Sequence, residues 1–333
     1  MKILITGSSG YIGSLLVSSW LSNPKIEKII AIDSKEPKLL YSKDNPKIQF
    51  IKSDIADTDL NLINEKIDAV VHTAYIIRKP YSKKGARNQE RSNFGGAENV
   101  FNFVFKNNIS KLIHFSSVAV YGANSENSLD RKFTESDPIG ETQIAYGVDK
   151  ATIERKLEGM IKEKNPKTQV VSIRLGSVTG PFLKNIVKKS GLQSYLRVFP
   201  FVPVTHDEGA RQFIHEDDVV SAINFLLEGE INPDAKSGLR LKRRRENPII
   251  FNLAPEGHLT FKDMAILSNK IALKIPKPLA KLAFNLMWHL SLGKIPSAPG
   301  TINSYSYPIL VDGSKISKIG FEYKYSSKEA FLA

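Results

Sequence analysis

The stretch Lys2-Ile3-Leu4-Ile5-Thr6-Gly7-Ser8-Ser9-Gly10-Tyr11-Ile12-Gly13 decides the fold. Four consecutive apolar or β-branched residues end in glycines at 7, 10 and 13, and Tyr11 to Ser22 then has the length and periodicity of a helix. A phosphate needs backbone that can approach closely, amides pointing at it and a helix N-terminus. Glycines between a strand and a helix provide all three.

The same rhythm continues along the chain. Strands are expected at Lys2 to Thr6, Lys28 to Ile32, Ile48 to Ile51, Ala69 to His72, Lys111 to Phe115 and Gln169 to Arg174. Between them, Gln89 to Asn107 and Thr142 to Lys164 read as helices. Strands apolar on both faces, alternating with helices, mean a parallel sheet covered on both sides, hence a doubly wound α/β fold. Asp33 follows the second strand, 20 residues after Gly13. Its carboxylate can accept hydrogen bonds from a ribose diol and would repel a 2′-phosphate, so NAD is expected rather than NADP, although Lys35 nearby pulls the other way.

From about Thr179 the alternation breaks. A helix is expected at Glu216 to Glu228, a strand at Ile249 to Leu253, and helices near Phe261 to Leu273 and Leu279 to Leu292. Residues 1–178 are therefore expected to form the cofactor domain. Residues 179–333 are expected to form mainly a substrate-covering lobe, with some segments returning to the first domain. The helix Leu279 to Leu292 is expected to cap the substrate pocket or core.

Composition narrows the field. The chain has 333 residues, 41% apolar and 24% charged, which excludes collagen-like, coiled-coil and disordered classes. No cysteine means no disulfide framework, thiolate zinc site or cysteine nucleophile. The formal charge of +13 suggests an anionic partner, either nucleic acid or a phosphorylated small molecule. The start of the chain lacks the pattern of a signal peptide, and Lys281, Asn285 and His289 interrupt the longest apolar stretch. A cytoplasmic protein without a membrane partner is expected. His206 and His215 have no metal-ligand spacing.

The chemistry rests on Tyr146 and Lys150, at i and i+4 on an expected helix and so on one face. A phenol is a poor base at neutral pH, and a nearby ammonium should favour phenolate. A serine pair, Ser116-Ser117, stands at the end of the fifth strand, Ser117 lying 29 residues before Tyr146. One of them can hydrogen-bond the substrate oxygen while Tyr146 exchanges its proton.

With the glycine spacing of Gly7, Gly10 and Gly13, the Ser-Tyr-Lys set and its length, the chain resembles the extended branch of the short-chain dehydrogenase/reductase family, which includes sugar-nucleotide epimerases and dehydratases. The resemblance implies a Rossmann-type sheet with a smaller C-terminal substrate lobe. It selects Ser117, four residues before Tyr121, as the catalytic serine beside Tyr146 and Lys150. For NAD it implies contacts from Gly7, Ser9, Gly10, Tyr11, Ile12, Gly13, Asp33, Asp54, Ile55, His72, Thr73, Ala74, Asn93, Tyr146 and Lys150. Asp54 would reach adenine, the backbone of His72-Thr73-Ala74 would line the cofactor, and Asn93 would support the site. For the substrate it implies Ser117, Tyr121 as a pocket wall, Ser177, and Arg211, whose counterpart holds a diphosphate. A surface ion pair is the plain alternative for Arg211. The family also implies a homodimer through Gln89 to Asn107 and Thr142 to Lys164.

Two departures bear on the reaction. Family dehydratases carry an Asp-Glu pair after the catalytic Ser or Thr, where this chain has Val118-Ala119. Ser177 stands where sugar-nucleotide enzymes often have asparagine. The expected function is an NAD-dependent, sugar-nucleotide epimerase-like enzyme that removes and returns hydride at a carbinol carbon, with Tyr146 as acid and base. One alternative is a dehydrogenase or reductase of a non-nucleotide alcohol or carbonyl. Another is a non-catalytic dinucleotide- or RNA-binding protein using the basic segment Gly229 to Asn247, with Lys236, Arg240 and Lys242 to Arg245.

Overall fold

The computed structural model describes residues 1–37, 40–77, 80–186, 200–229, 231, 248–295 and 297–333. The basic residues Lys236 to Arg245, which carry the RNA-binding reading, lie outside the described residues.

The main sheet has seven strands. β1 (Lys2–Thr6), β2 (Lys28–Asp33), β3 (Ile48–Lys52), β4 (Ala69–His72), β5 (Lys111–Ser117) and β6 (Gln169–Leu175) are joined at the β6 edge by the late strand Ile249–Leu253. Every neighbouring pair is parallel. The order runs Ile249–Leu253, β6, β5, β4, β1, β2, β3. Chain progress therefore reverses at β1, and the crevice outside the carboxyl ends of β1 and β4 is the switch point at which this topology binds ligands.

Period-two alternation gives each face its own core. Ile3 and Ile5 pack with Val17 and Trp20 of α1 (Tyr11–Leu21) and with Val219, Ile223 and Leu226 of the helix Glu216–Leu227. Leu4 points the other way, into a layer with Val100, Phe101 and Val104 of the helix Gly96–Lys106 and Ile153 and Leu157 of the helix Ala145–Lys164. The expected helix Gln89 to Asn107 is not continuous. A helix Lys83–Glu90 runs through a π-turn, Arg91–Gly95, into Gly96–Lys106, and the π-turn carries buried Asn93.

The C-terminal half departs further from the sequence reading. The expected helix Phe261 to Leu273 stops at Leu267, because Asn269 turns the chain with φ +54° and Ile271–Lys274 then pairs in parallel with Phe201–Val204. The helix near 279 runs from Lys277 to Leu290 but buries only Ala280 and Trp288. It does not cap a core. No helix among the described residues is long and apolar enough to cross a membrane.

Candidate active site

The glycine turn is built for close approach. At Gly13, a Cβ would lie 2.0 Å from the Gly7 carbonyl oxygen, so only glycine lets α1 start so near the turn. No side chain caps that helix start, which leaves its first-turn amides available to an anion. Gly10 is exposed and its absent Cβ meets only the Gly7 carbonyl, at 3.1 Å, so the space above it is open. Asp33 accepts from the Ser9 amide at 3.0 Å and the Lys35 amide at 2.9 Å, fixing a carboxylate at the end of β2. Open backbone, uncapped helix and fixed carboxylate together fit an NAD diphosphate and ribose.

Several other cofactor-side residues turn out to act through structure. The Tyr11 hydroxyl donates to Glu216, its ring stacks 6.0 Å from Phe182, and Glu216 also accepts from the Phe182 amide. Its side chain thus ties the turn to the C-terminal half, leaving its backbone for the cofactor. Asp54 accepts from the Ala56 amide and Ser92, and Ile55 is buried in the core. Thr73 donates to the Thr6 carbonyl at 2.7 Å. His72 lies in the core with Nδ1 2.7 Å from Thr6 Oγ1, and burial lowers its pKa to about 3. Asn93 brackets Ile76, its Oδ1 accepting from the amide at 2.8 Å and its Nδ2 donating to the carbonyl at 3.1 Å. It shapes the loop that follows Ala74.

Ser117, Tyr146, Ser177 and Arg211, all expected at the substrate, line one cavity of about 310 Å³. Ser117 ends β5, accepts from the Ala119 amide at 3.2 Å, and lines the same cavity as the Tyr146 phenol. Tyr146 opens the helix Ala145–Lys164, and at Gly147 a Cβ would lie 2.6 Å from the Ala119 carbonyl, so this glycine lets the helix press against the serine turn. Lys150 is buried beneath, donating to the Phe115 carbonyl at 2.7 Å, with its ammonium 3.9 Å from the centre of the Tyr75 ring.

Here the structure corrects an expectation. Burial pushes the Tyr146 phenol up, against the Ser117 hydrogen bond, and burial lowers Lys150 to about 7 despite Glu154 and Asp149. The ammonium is spent on a carbonyl and a ring face, so in the free protein it does not hold Tyr146 as phenolate. Tyr121 is also not a pocket wall. It is buried, 2.7 Å from Asn252 Oδ1, and accepts at 2.9 Å from Arg174. Arg174 in turn forks onto Glu154, both side chains 2% exposed.

Sequence reasoning missed Tyr75 and Glu154. The signal for Glu154 was present, since Tyr146, Lys150 and Glu154 repeat at i, i+4 and i+8 along one helix face. Tyr75 directly follows the Thr73-Ala74 pair, and its ring meets Tyr146 edge-on at 5.5 Å.

Arg211 is the cavity's cation. It donates to the Ser304 carbonyl at 3.2 Å and lies 5.6 Å from the Tyr305 ring centre. No ion pair to a carboxylate is found for it among the described residues. Burial lowers its pKa, with Tyr305 opposing.

Residues 3–236 match the NAD dependent epimerase/dehydratase family. The chain belongs to that family. An ADP-L-glycero-D-manno-heptose-6-epimerase from Brachyspira hyodysenteriae is 28% identical over 250 residues, 71% of this chain and 74% of that protein. Among solved structures, the UDP-glucose 4-epimerase of Thermotoga maritima, with UDP-glucose, covers 100% of this chain and 96% of its own at TM-score 0.72 and 20% identity. The UDP-glucuronic acid 4-epimerase of Bacillus cereus, with NAD, covers 100% and 97% at TM-score 0.69 and 22% identity. Those two likenesses show the family's Rossmann-type fold over the whole chain.

Proposed function

We propose that this family member catalyses NAD-dependent epimerisation of a nucleotide sugar, through oxidation and re-reduction of one carbinol carbon. The observation that carries the reading is Arg211, a guanidinium without a carboxylate partner in the same cavity as Ser117 and Tyr146. A half-buried cation without a counter-charge among the described residues suits a substrate that brings its own anion, and a guanidinium fits a diphosphate two-pronged.

Gly7, Ser9, Gly10, Tyr11, Ile12, Gly13, Asp33 and the backbone of His72 to Ala74 would hold NAD, with Lys150 beneath its reactive end. Bound NAD supplies a reversible two-electron acceptor. Ser117 orients the substrate hydroxyl, and Tyr146 takes its proton on oxidation and returns it on reduction. Because burial raises the Tyr146 pKa, turnover should climb with pH on the alkaline side until the phenol titrates. Val118 and Ala119 line the cavity where elimination would need carboxylates, so water loss is not part of the reaction. The homodimer through Gly96–Lys106 and Ala145–Lys164 belongs to the same proposal, and light scattering measures it.

The test is Tyr146→Phe, assayed on a panel of nucleotide sugars. Turnover should fall by about two to four orders of magnitude, in line with loss of a general acid–base, while NAD and substrate still bind. Unchanged turnover overturns the reading. A second reading has one observation in its favour: Val118, Ile144, Leu175 and Ile309 leave much of the cavity wall apolar. That suits a dehydrogenase of a less polar alcohol, and net NADH formation would select it.

A further inference from the structure

Tyr75 touches three residues of the helix that carries the reactive pair. Its ring meets the Tyr146 ring edge-on at 5.5 Å, its hydroxyl donates to Asp149 at 3.3 Å, and the Lys150 ammonium sits over its face, 3.9 Å from the ring centre. The side chain reaches that helix from the cofactor side. A Cβ on Gly7 would lie 2.6 Å from the Ala74 amide nitrogen, so the loop passes hard against the glycine turn one residue before Tyr75. Asn93 holds the following residue, Ile76, by both its amide and its carbonyl, so the ring is carried on fixed backbone.

Lys150 is 4% exposed, and its immediate surroundings are short of negative charge. The ammonium has one hydrogen-bond acceptor among the described residues, the Phe115 carbonyl at 2.7 Å. On its own helix, Asp149 accepts from Tyr75 and Glu154 is held by Arg174 of β6, and both favour the ammonium from a distance. His72 of β4 and His114 of β5 bring no charge, because burial holds both well below the usual histidine range. That leaves the ring face of Tyr75 to meet the cation at contact distance. Burial, with Asp149 adding to it, pushes the Tyr75 phenol up, so the ring stays neutral. A neutral aromatic ring offers a cation its negative face, and the attraction grows where water is excluded.

We propose that Tyr75 is a positioning residue, whose ring face holds the Lys150 side chain as a cation at the reactive end of NAD. The proposal rests on the reading that Lys150 lies beneath that end of the cofactor. An aliphatic side chain at position 75 could fill the same space, but it would have no negative face to turn toward the ammonium.

The test changes the charge distribution of the ring and keeps its shape. Phenylalanine and its mono-, di- and trifluorinated forms are placed at position 75 of the full chain. The carbon-13 signal of the Lys150 Cε, assigned with Lys150→Met, is then titrated in the free protein. Tyr75→Phe should titrate like the parent, since it loses only the hydroxyl bond to Asp149. Added fluorine should lower the midpoint stepwise, by about one pH unit for the trifluorinated ring, a roughly tenfold loss of proton affinity. NAD affinity, measured by calorimetry near neutral pH, should fall in the same order, by about three- to tenfold in total. A midpoint that ignores fluorination overturns the proposal. So does a midpoint that moves as far in Tyr75→Phe as in the trifluorinated form, which gives the role to the Asp149 hydrogen bond. NAD affinity that stays constant while the midpoint shifts also overturns it. Neither readout uses a sugar substrate, so failure here is distinct from failure of the epimerase reading, which Tyr146→Phe tests.

Discussion

Two guanidiniums in this molecule, Arg174 buried and Arg211 half-buried, have opposite circumstances. Arg174, beneath the reactive helix, is clamped to Glu154 and donates to Tyr121, and although burial works against it, Glu154 raises its pKa. Arg211, on the cavity, has a single carbonyl acceptor and a ring, and burial lowers its pKa. The sealed pair is internally neutral and welds β6 to the helix bearing Tyr146 and Lys150. The open one carries an unbalanced charge at a surface meant to receive a ligand. A sealed charge with a partner reports architecture, and a half-open one without reports binding.

That contrast can be broken by experiment. Arg174→Met leaves Glu154 buried alone and should cost about 3–5 kcal/mol by chemical denaturation, with most of it regained when Glu154→Leu is added. A fully stable single variant would mean that the pair is not what holds the helix. Arg211→Met should leave stability unchanged or raised, and raise KM for an accepted nucleotide sugar about 10- to 100-fold, the equivalent of a charged hydrogen bond of ~1.5–3 kcal/mol. Stability loss at Arg211 with an unchanged KM would erase the distinction.

The smallest effect sharpens the sealed end. His72 and His114 stack at 5.5 Å, and neither ring nitrogen of His114 has a partner. Burial lowers His72 to about 3 and puts His114 well below its usual range. Depressed histidine pKa values mean that the unfolded chain binds more protons, so their contribution is whole above about pH 6.5 and is lost as pH falls toward 3. Denaturation at stepped pH should show that slope, His114→Leu should flatten it, and Arg211→Met should leave it untouched.

The strand–helix alternation made the sheet legible, since the parallel strands are short runs rich in apolar residues, and each reads alone. Ser117, Tyr146, Ser177 and Arg211 share one cavity; Tyr146 was legible from its spacing to Lys150, while the choice of Ser117, Ser177 and Arg211 came from the family pattern. What escaped depends on partners distant in sequence. Arg174 meets Glu154 20 residues away, and Tyr121 meets Asn252 131 residues away, so Tyr121 reads as a wall when it is a tie. The Ile271–Lys274 strand looked helical because a short apolar run has no period of its own. Amphipathicity was visible in Lys277–Leu290, but which of its faces is covered is decided by Tyr81 against Trp288 and Tyr305 against Phe284, not by the helix.

The strand Ile249–Leu253 sets a timetable for synthesis. It pairs residue for residue with β6, which ends at Leu175, so 73 residues separate the end of one strand from the start of its neighbour. At about 5–20 residues per second on the ribosome, the β6 edge waits roughly 4–15 s for its cover. For that interval Val171 and Ile173 offer a nascent chain an open edge, and slower decoding of the stretch between would lengthen its exposure to aggregation and to chaperones.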